Sequence, residues 1–185
     1  MKTKSLIEYM NSFNGTKEEV LDLTINHFNI DRDIEEVDLM DLLNFPNLEN
    51  LTLINLTLDD QSILILTKLN KLTRLNLINC EILIKNNYKE LLTINHLSVD
   101  NTFFEEFINN NNFDYLEIKN IYYNCKNIKS NILKIDKSNV DLNTIDFNNI
   151  NTLIISKQQF EEYKEFLLKN KLNTHLVIKD NMFDE

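Results

Sequence analysis

Glycine is nearly absent from this sequence of 185 residues, in which Gly15 is the only one. Phosphate-binding P-loops, dinucleotide-binding fingerprints and the nucleophile elbow of hydrolases each need two or more glycines. The backbone at those sites approaches a ligand closely or turns tightly, and other residues obstruct it. A single glycine therefore argues strongly against all three classes of site.

Cysteine is also scarce, and Cys80 and Cys125 are far apart in the sequence. Two such residues do not form a disulfide framework, and their scarcity suits a reducing compartment. Residues 1–13 lack the apolar core of a signal peptide. The most apolar run, residues 63–66, is far shorter than the roughly 20 residues that a membrane helix needs. We therefore expect a cytoplasmic protein without a membrane partner.

Residues that could bind a metal or catalyse a reaction are few and dispersed. The three histidines, His27, His96 and His175, lie in separate segments, and neither C-x-x-C nor H-E-x-x-H occurs. The run that begins at Asp31 starts like a calcium loop, but its sixth position is Glu36 instead of glycine. We predict that the protein is not an enzyme and has no cofactor and no metal site.

Acidic residues outnumber basic ones, which gives a formal net charge of -10. Such a charge resists nonspecific contact with nucleic acid or an anionic membrane, so we expect neither as a direct partner. It favours either a basic protein partner or solubility alone. The densest acidic stretch covers residues 31–41, where six of the eleven residues are acidic.

Leucine and isoleucine recur in a fixed pattern along the chain. Residues 48–58 read LENLTLINLTL and residues 72–82 read LTRLNLINCEI, with apolar residues at positions one, four, six and eleven. The same spacing can be followed over residues 20–183. Its fourth position is a leucine in eight successive units: Leu23, Leu51, Leu75, Leu97, Leu116, Leu133, Leu153 and Leu176. Alternation of this kind predicts short strands whose leucines share one face.

This pattern resembles the leucine-rich-repeat family, whose signature is L-x-x-L-x-L-x-x-N/C-x-L. The resemblance implies an α/β fold, a short right-handed solenoid or horseshoe of about eight irregular repeats. Its parallel β-sheet would lie on the concave side, with helices and turns on the convex side. We expect a single domain over residues 1–185. Residues 1–19 would form an N-terminal helical cap, residues 20–183 the repeats, and the last helix–strand unit the C-terminal cap.

The segments between the predicted strands have helical features. Residues 61–69, 102–108 and 158–170 are predicted to return the chain on the outer side, and residues 3–13 to form a capping helix that ends at Gly15. Ser156 with Gln159, and Thr16 with Glu19, have the spacing of capping boxes. Adjacent carboxylates such as Asp59 and Asp60 are interpreted as solvated surface.

The Asn/Cys position of the family signature is poorly kept in this chain. Polar or thiol side chains that could bond the turn there are Cys80, Thr102, Ser138 and Asn181, whereas Phe28, Leu56 and Ile121 cannot. Cys80 is accordingly interpreted as a structural residue, with a reactive thiol as the alternative. One position earlier, asparagine recurs in four consecutive units: Asn55, Asn79, Asn101 and Asn120. We predict that these asparagines bond the turns.

The outward-facing strand positions carry four acids and four Lys or Arg side chains, so the predicted concave face is close to neutral. The resemblance implies a non-enzymatic module that binds a protein through this face, as a monomer or a homodimer. Aromatic residues and arginine dominate binding hot spots. The predicted partner-binding residues are Asn50, Thr52, Ile54, Arg74, Asn76, Ile78, His96, Ser98, Asp100, Tyr115, Glu117 and Lys119.

The alternative is an acidic mimic of nucleic acid. In that hypothesis the acidic stretch blocks the basic groove of a nucleic-acid-binding protein, as an anti-defence protein of a virus or mobile element would. Its contact residues would be Asp31, Asp33, Glu35, Glu36 and Asp38.

Overall fold

The computed structural model divides the chain into two compact units, unit 1 (Met1–Ile94) and unit 2 (Asn95–Glu185). The structure describes residues 16–26, 39–83, 94–102, 112–121, 128–138, 140–145, 147–169 and 174–180. Both units combine parallel strands with helices, which confirms the α/β class. The single domain expected over residues 1–185 stays a prediction.

The described residues of unit 1 form strands in two parallel sheets and one α-helix. Its described elements are β1 (Asp22–Asn26), β2 (Asn50–Ile54), β3 (Thr57–Asp59), α1 (Asp60–Lys68), β4 (Arg74–Ile78) and β5 (Glu81–Leu83), with 3-10 helices at Lys17–Glu19 and Leu39–Asn44. Strands β1, β2 and β4 are neighbours in one sheet, and β3 pairs with β5 in the other. Leu51 lies opposite Leu23 on one side and Leu75 on the other, which is the register that the leucine spacing predicts.

In the part of unit 2 that the structure describes, five parallel strands follow one another in sequential order. Its described elements are β6 (His96–Asp100), β7 (Phe113–Lys119), β8 (Ser130–Asp136), β9 (Thr152–Ser156), α2 (Lys157–Lys169) and β10 (His175–Lys179), with 3-10 helices at Leu142–Thr144 and Phe147–Asn149. Leucine again recurs at one register position. The successive partners across the strands are Leu97, Leu116, Leu133, Leu153 and Leu176.

One face of each strand is buried because apolar and polar residues alternate with a period of two. In unit 2, the buried face consists of side chains with no accessible surface: Leu97, Val99, Leu116, Ile118, Leu133, Ile135, Leu153 and Ile155. The last strand departs from this pattern, since Leu176 is half-buried and Ile178 is 42% exposed. The other face of strands β1, β2 and β4 is called the open face of unit 1. The other face of strands β6 to β10 is called the open face of unit 2.

The chain leaves five strands through a residue in the left-handed region of backbone conformation. These residues and their φ angles are Asn55 (59°), Asn79 (51°), Asn101 (44°), Asn120 (50°) and Lys137 (45°). Asparagine tolerates this conformation better than most residues. Two of the asparagines also bond the neighbouring strand. The Nδ2 atom of Asn55 donates to Oδ1 of Asn26 at 3.0 Å, and that of Asn120 donates to Oδ1 of Asp100 at 2.7 Å. All four asparagines thus occupy the left-handed position of a turn, and side-chain bonds are seen for Asn55 and Asn120.

The next position along the turn is occupied by a buried donor in three units. The Cys80 Sγ donates to the carbonyl of Leu53 at 3.3 Å, and the Thr102 Oγ1 donates to the carbonyl of Asp100 at 3.0 Å. The Ser138 Oγ donates to the carbonyl of Asp136 at 2.8 Å and accepts from the backbone N–H of Ile121 at 3.0 Å. These contacts confirm the predicted turn bonds of Cys80, Thr102 and Ser138.

Leu56 and Ile121 occupy the equivalent turn position without a polar group, and both are buried in the apolar core. Asn181 and Phe28, which share this position in other units, lie outside the described residues. Burial therefore replaces hydrogen bonding at this position in some of the turns.

Both α-helices begin at residues that cap their N-termini. At α2, the Gln159 Oε1 accepts from the backbone N–H of Ser156 at 3.2 Å, and the Ser156 Oγ accepts from the N–H of Gln159 at 3.2 Å. The capping box of Thr16 and Glu19 is present as well. At α1, Asp59 accepts from the backbone N–H of Ser62 at 2.8 Å.

Asp59 is exposed, in keeping with the interpretation of that carboxylate as solvated surface, and it is also the N-cap of α1. The helix predicted over residues 3–13 and most of that over residues 102–108 lie outside the described residues.

Candidate functional site

The twelve predicted partner-binding residues all lie on the open faces. Six belong to unit 1, on β2 and β4: Asn50, Thr52, Ile54, Arg74, Asn76 and Ile78. Six belong to unit 2, on β6 and β7: His96, Ser98, Asp100, Tyr115, Glu117 and Lys119. All except Glu117 are half-buried or exposed. The strand alternation thus brings each set of six together on one surface.

The open face of unit 1 carries a row of hydrogen bonds between strands. The Asn50 Nδ2 donates to Oδ1 of Asp22 at 2.5 Å, and the Asn76 Nδ2 donates to Oγ1 of Thr52 at 3.1 Å. Arg74 lies beside Asn50 in the register and is exposed to solvent. These two bonds hold the side chains of Asn50 and Asn76 in place. Arg74 is the exposed positive group on β4.

An aromatic stack lies at the start of the open face of unit 2. His96 on β6 and Tyr115 on β7 are partners in the strand register. Their ring centroids are 4.2 Å apart, and the ring planes meet at 21°. Both residues are half-buried, so they combine an ordered contact with an accessible surface. A stacked pair of this kind presents apolar area at little cost in conformational entropy.

A shielded ionic cluster lies on the same face, two residues further along the strands. The Glu117 Oε1 is 2.8 Å from the Nζ of Lys134 and 3.1 Å from the Nζ of Lys119. The Ser98 Oγ donates a hydrogen bond to the Glu117 Oε2 at 3.2 Å. Glu117 is only 7% exposed, and solvent does not reach its Oε1. Two ammonium groups therefore share one carboxylate on this face.

The charges in this cluster stabilise one another. Burial alone raises the pKa of the Glu117 carboxyl, but the ammonium groups of Lys134 and Lys119 outweigh burial and hold this pKa below its ordinary value. Burial alone lowers the pKa of Lys134, but the Glu117 carboxylate outweighs it and holds the Lys134 pKa above its ordinary value. Glu117 and Lys134 are therefore both charged near neutral pH.

Lys134 is a member of this cluster that the set of twelve residues omits, because that set stops at β7. Lys134 on β8 is the register partner of Glu117 on β7. Cross-strand pairing of opposite charges at equal strand positions is the signal that identifies it. Ile132 and Ile154, which are half-buried on the same face, adjoin Tyr115 and Lys134 respectively.

The other acids of this face, Asp100 and Asp136, lie on either side of Lys119 in the strand register. Asp100 accepts the Asn120 side-chain amide at 2.7 Å, and Asp136 is 9% exposed. The Lys119 side chain, in contrast, is 34% exposed.

Among the described residues, no group of three or more His, Cys, Asp or Glu side chains is arranged to hold a metal ion. Cys80 is 4% exposed, and burial raises the pKa of its thiol, which suits the structural interpretation. Within the same residues, no helix is both long enough and apolar enough to cross a membrane.

The acidic residues of the alternative hypothesis, Asp31, Asp33, Glu35, Glu36 and Asp38, lie outside the described residues. The acidic mimic therefore stays a prediction.

Comparisons with known proteins add no family to this picture. No family model matches the chain, and neither a curated protein nor a solved structure matches it.

Proposed function

We propose that this chain is a leucine-rich-repeat protein, a right-handed solenoid that acts as a non-enzymatic protein-binding module. Three features support the proposal. Leucines align across parallel strands in both units. Asparagines recur in the left-handed residue after the strands. Buried thiol and hydroxyl donors follow them in three turns. A reducing compartment such as the cytoplasm suits the buried Cys80 thiol.

The observation that carries the binding function is the open face of unit 2. It combines the stack of His96 and Tyr115 with a cluster in which Glu117 is almost fully shielded. Protein interfaces are enriched in aromatic side chains, which also dominate binding hot spots. The stacked His96 and Tyr115 give this face that feature, although the chain carries a net charge of -10. A protein partner is therefore the ligand class that fits it best.

Affinity purification from the native host, followed by mass spectrometry, would identify the partner. The complex should then be re-formed with Tyr115→Ala for unit 2 and with Arg74→Glu for unit 1, singly and together. Leu168→Ala is the matched control, because Leu168 is 65% exposed on α2, away from the strands. We expect Tyr115→Ala to weaken binding by about ten-fold or more, as hot-spot aromatic residues do. Unchanged affinity of the folded double variant would reject the proposal.

A further inference from the structure

Strand β10 lies at the end of the strand order, next to β9, and its outer edge is a surface on which another strand can pair. We infer that two copies of this chain pair antiparallel through β10, about a two-fold axis at Val177. A two-fold contact uses the same surface on both copies and closes after two. The pairing goes beyond the proposed function and does not depend on it.

The backbone direction of β10 shows which residues face its outer edge. The N–H of His175 donates to the carbonyl of Asn151, at the start of β9, at 2.7 Å. The backbone groups of successive strand residues point to opposite edges of the strand. His175 and Val177 therefore face β9, whereas Leu176 and Ile178 direct their N–H and carbonyl groups to the outer edge.

The same two residues expose apolar side chains. Leu176 and Ile178 are the register partners of Leu153 and Ile155 on β9, which have no accessible surface. Leu176, in contrast, is only half-buried, and Ile178 is 42% exposed. An edge strand that exposes apolar side chains is a template for pairing with another chain. The edge of β10 therefore has both the backbone groups and the apolar surface of a pairing site.

A second copy of β10 matches this edge residue by residue. With Val177 opposite itself, Leu176 of each copy lies opposite Ile178 of the other. Opposite residues whose backbone groups face the shared edge exchange two N–H···O bonds, so the two pairs make about four bonds. The apolar side chains that one copy exposes are covered by those of the other. A shift of the register would instead place Thr174 opposite Ile178, or Asp180 opposite Leu176.

The charges of this edge also suit a second copy, although the whole chain carries a net charge of -10. Lys179 and Asp180, at the end of the strand, have a formal sum of zero. In the inferred register Lys179 lies opposite His175, and Asp180 lies opposite Thr174. No acid of one copy faces an acid of the other, so the repulsion between two acidic chains is least at this edge.

The contact is small, so we expect a weak dimer. Five residues at about 3.4 Å give an edge about 17 Å long. Such an edge buries well under the about 800 Å² that each partner buries in a standard interface. The dimer should therefore be populated only at concentrations of roughly 0.1 mM or above, in the range of weak association.

Sedimentation velocity of the intact chain from about 5 to about 500 µM tests the pairing. We expect the average mass to rise with concentration from that of one chain toward that of two. Ile178→Lys places a charge against Leu176 of the other copy, so it should weaken association about ten-fold or more. Leu168→Lys is the matched control, because it adds the same charge to a side chain that is 65% exposed on α2.

Cysteine cross-linking tests the register. Opposite residues that exchange no hydrogen bonds have Cα atoms about 4.5 Å apart, within the range of a disulfide. In a Cys125→Ser background, Val177→Cys should therefore give a disulfide-linked dimer on mild oxidation. His175→Cys is the control, since it is exposed on the same face of β10. Its copy is roughly 14 Å away in this register, beyond the about 7 Å that a disulfide spans.

Three results would overturn the inference. They are the mass of one chain at every concentration, a dimer that Ile178→Lys leaves intact, and equal cross-linking of Val177→Cys and His175→Cys. Species larger than two chains would also contradict it, because a two-fold contact closes. Circular dichroism shows whether each variant keeps the fold, and the cross-linking decides the register independently of Ile178→Lys. The proposed function is tested separately, by the effect of Tyr115→Ala on partner binding.

Discussion

Asn120 offers the sharpest test of how the turns after the strands are built. Its backbone lies in the left-handed region, and its side chain donates to Asp100 at 2.7 Å. Asn120→Gly keeps the backbone conformation accessible but removes this bond to a charged acceptor, at a cost of about 1.5 kcal/mol. Asn120→Ala removes the same bond and also forces a Cβ into the left-handed region. After allowance for the greater entropy of an unfolded glycine, this adds about 1 kcal/mol.

Lys137, in the same unit, offers the reverse test, a substitution that should stabilise the protein. It is the one residue of the five in left-handed turns that is not asparagine, with φ of 45°. Lys137→Gly removes the steric cost of this conformation, so it should raise the free energy of unfolding by about 1 kcal/mol.

Urea unfolding followed by far-UV circular dichroism measures these differences. The variants should change the midpoint and leave the slope with urea unaltered, which shows that stability and not compactness has changed. The predicted order of stability is Lys137→Gly, wild type, Asn120→Gly, Asn120→Ala. Equal losses for the two Asn120 variants, or a loss for Lys137→Gly, would refute the account of the turns.

Three further predictions concern the helix cap, the ionic cluster and the buried thiol. Asp59→Ala should lower the free energy of unfolding by about 1 kcal/mol because α1 loses its N-cap, whereas Asp59→Asn should retain most of it; equal urea midpoints for the two variants would contradict this. The lowered pKa of Glu117 gives stability that is present above the ordinary glutamate pKa of about 4.3 and is lost as the pH falls further. The raised pKa of Lys134 gives stability that is present below about 10.4 and is lost at higher pH. Titration of unfolding free energy against pH should show both losses, and Glu117→Gln should abolish the acid one; a wild-type curve that is parallel to that of Glu117→Gln would exclude the cluster as its cause. In a Cys125→Ser background, Cys80 should react with iodoacetamide only after unfolding, since it is buried and burial raises its pKa; labelling of the native protein at the rate of a free thiol would disprove the structural role of Cys80.

Much of the strand arrangement could be predicted from the sequence. The eight leucines mark positions that must share one buried face, because with period-two alternation a slip of one residue would turn a strand's leucines to the other face. Leu116 accordingly lies between Leu97 and Leu133. The recurrence of asparagine one residue after the strands was equally informative, because few other side chains suit a left-handed turn.

The details of the candidate site could not be predicted in the same way. Strand alternation places His96 and Tyr115 on one face, but their stacking depends on side-chain rotamers that no sequence pattern encodes. The shielding of Glu117 depends on where two long lysine side chains settle. Lys137 in a left-handed turn had no signal at all, since lysine is not favoured there.

Hydroxyl-radical footprinting of the chain with and without its purified partner tests the binding surface most directly. We predict that oxidation of Tyr115 and His96 falls on complex formation, while oxidation of the exposed Leu168 on α2 does not change. Protection of Leu168, with Tyr115 and His96 as reactive as in the free protein, would contradict the account and place the partner elsewhere on the molecule.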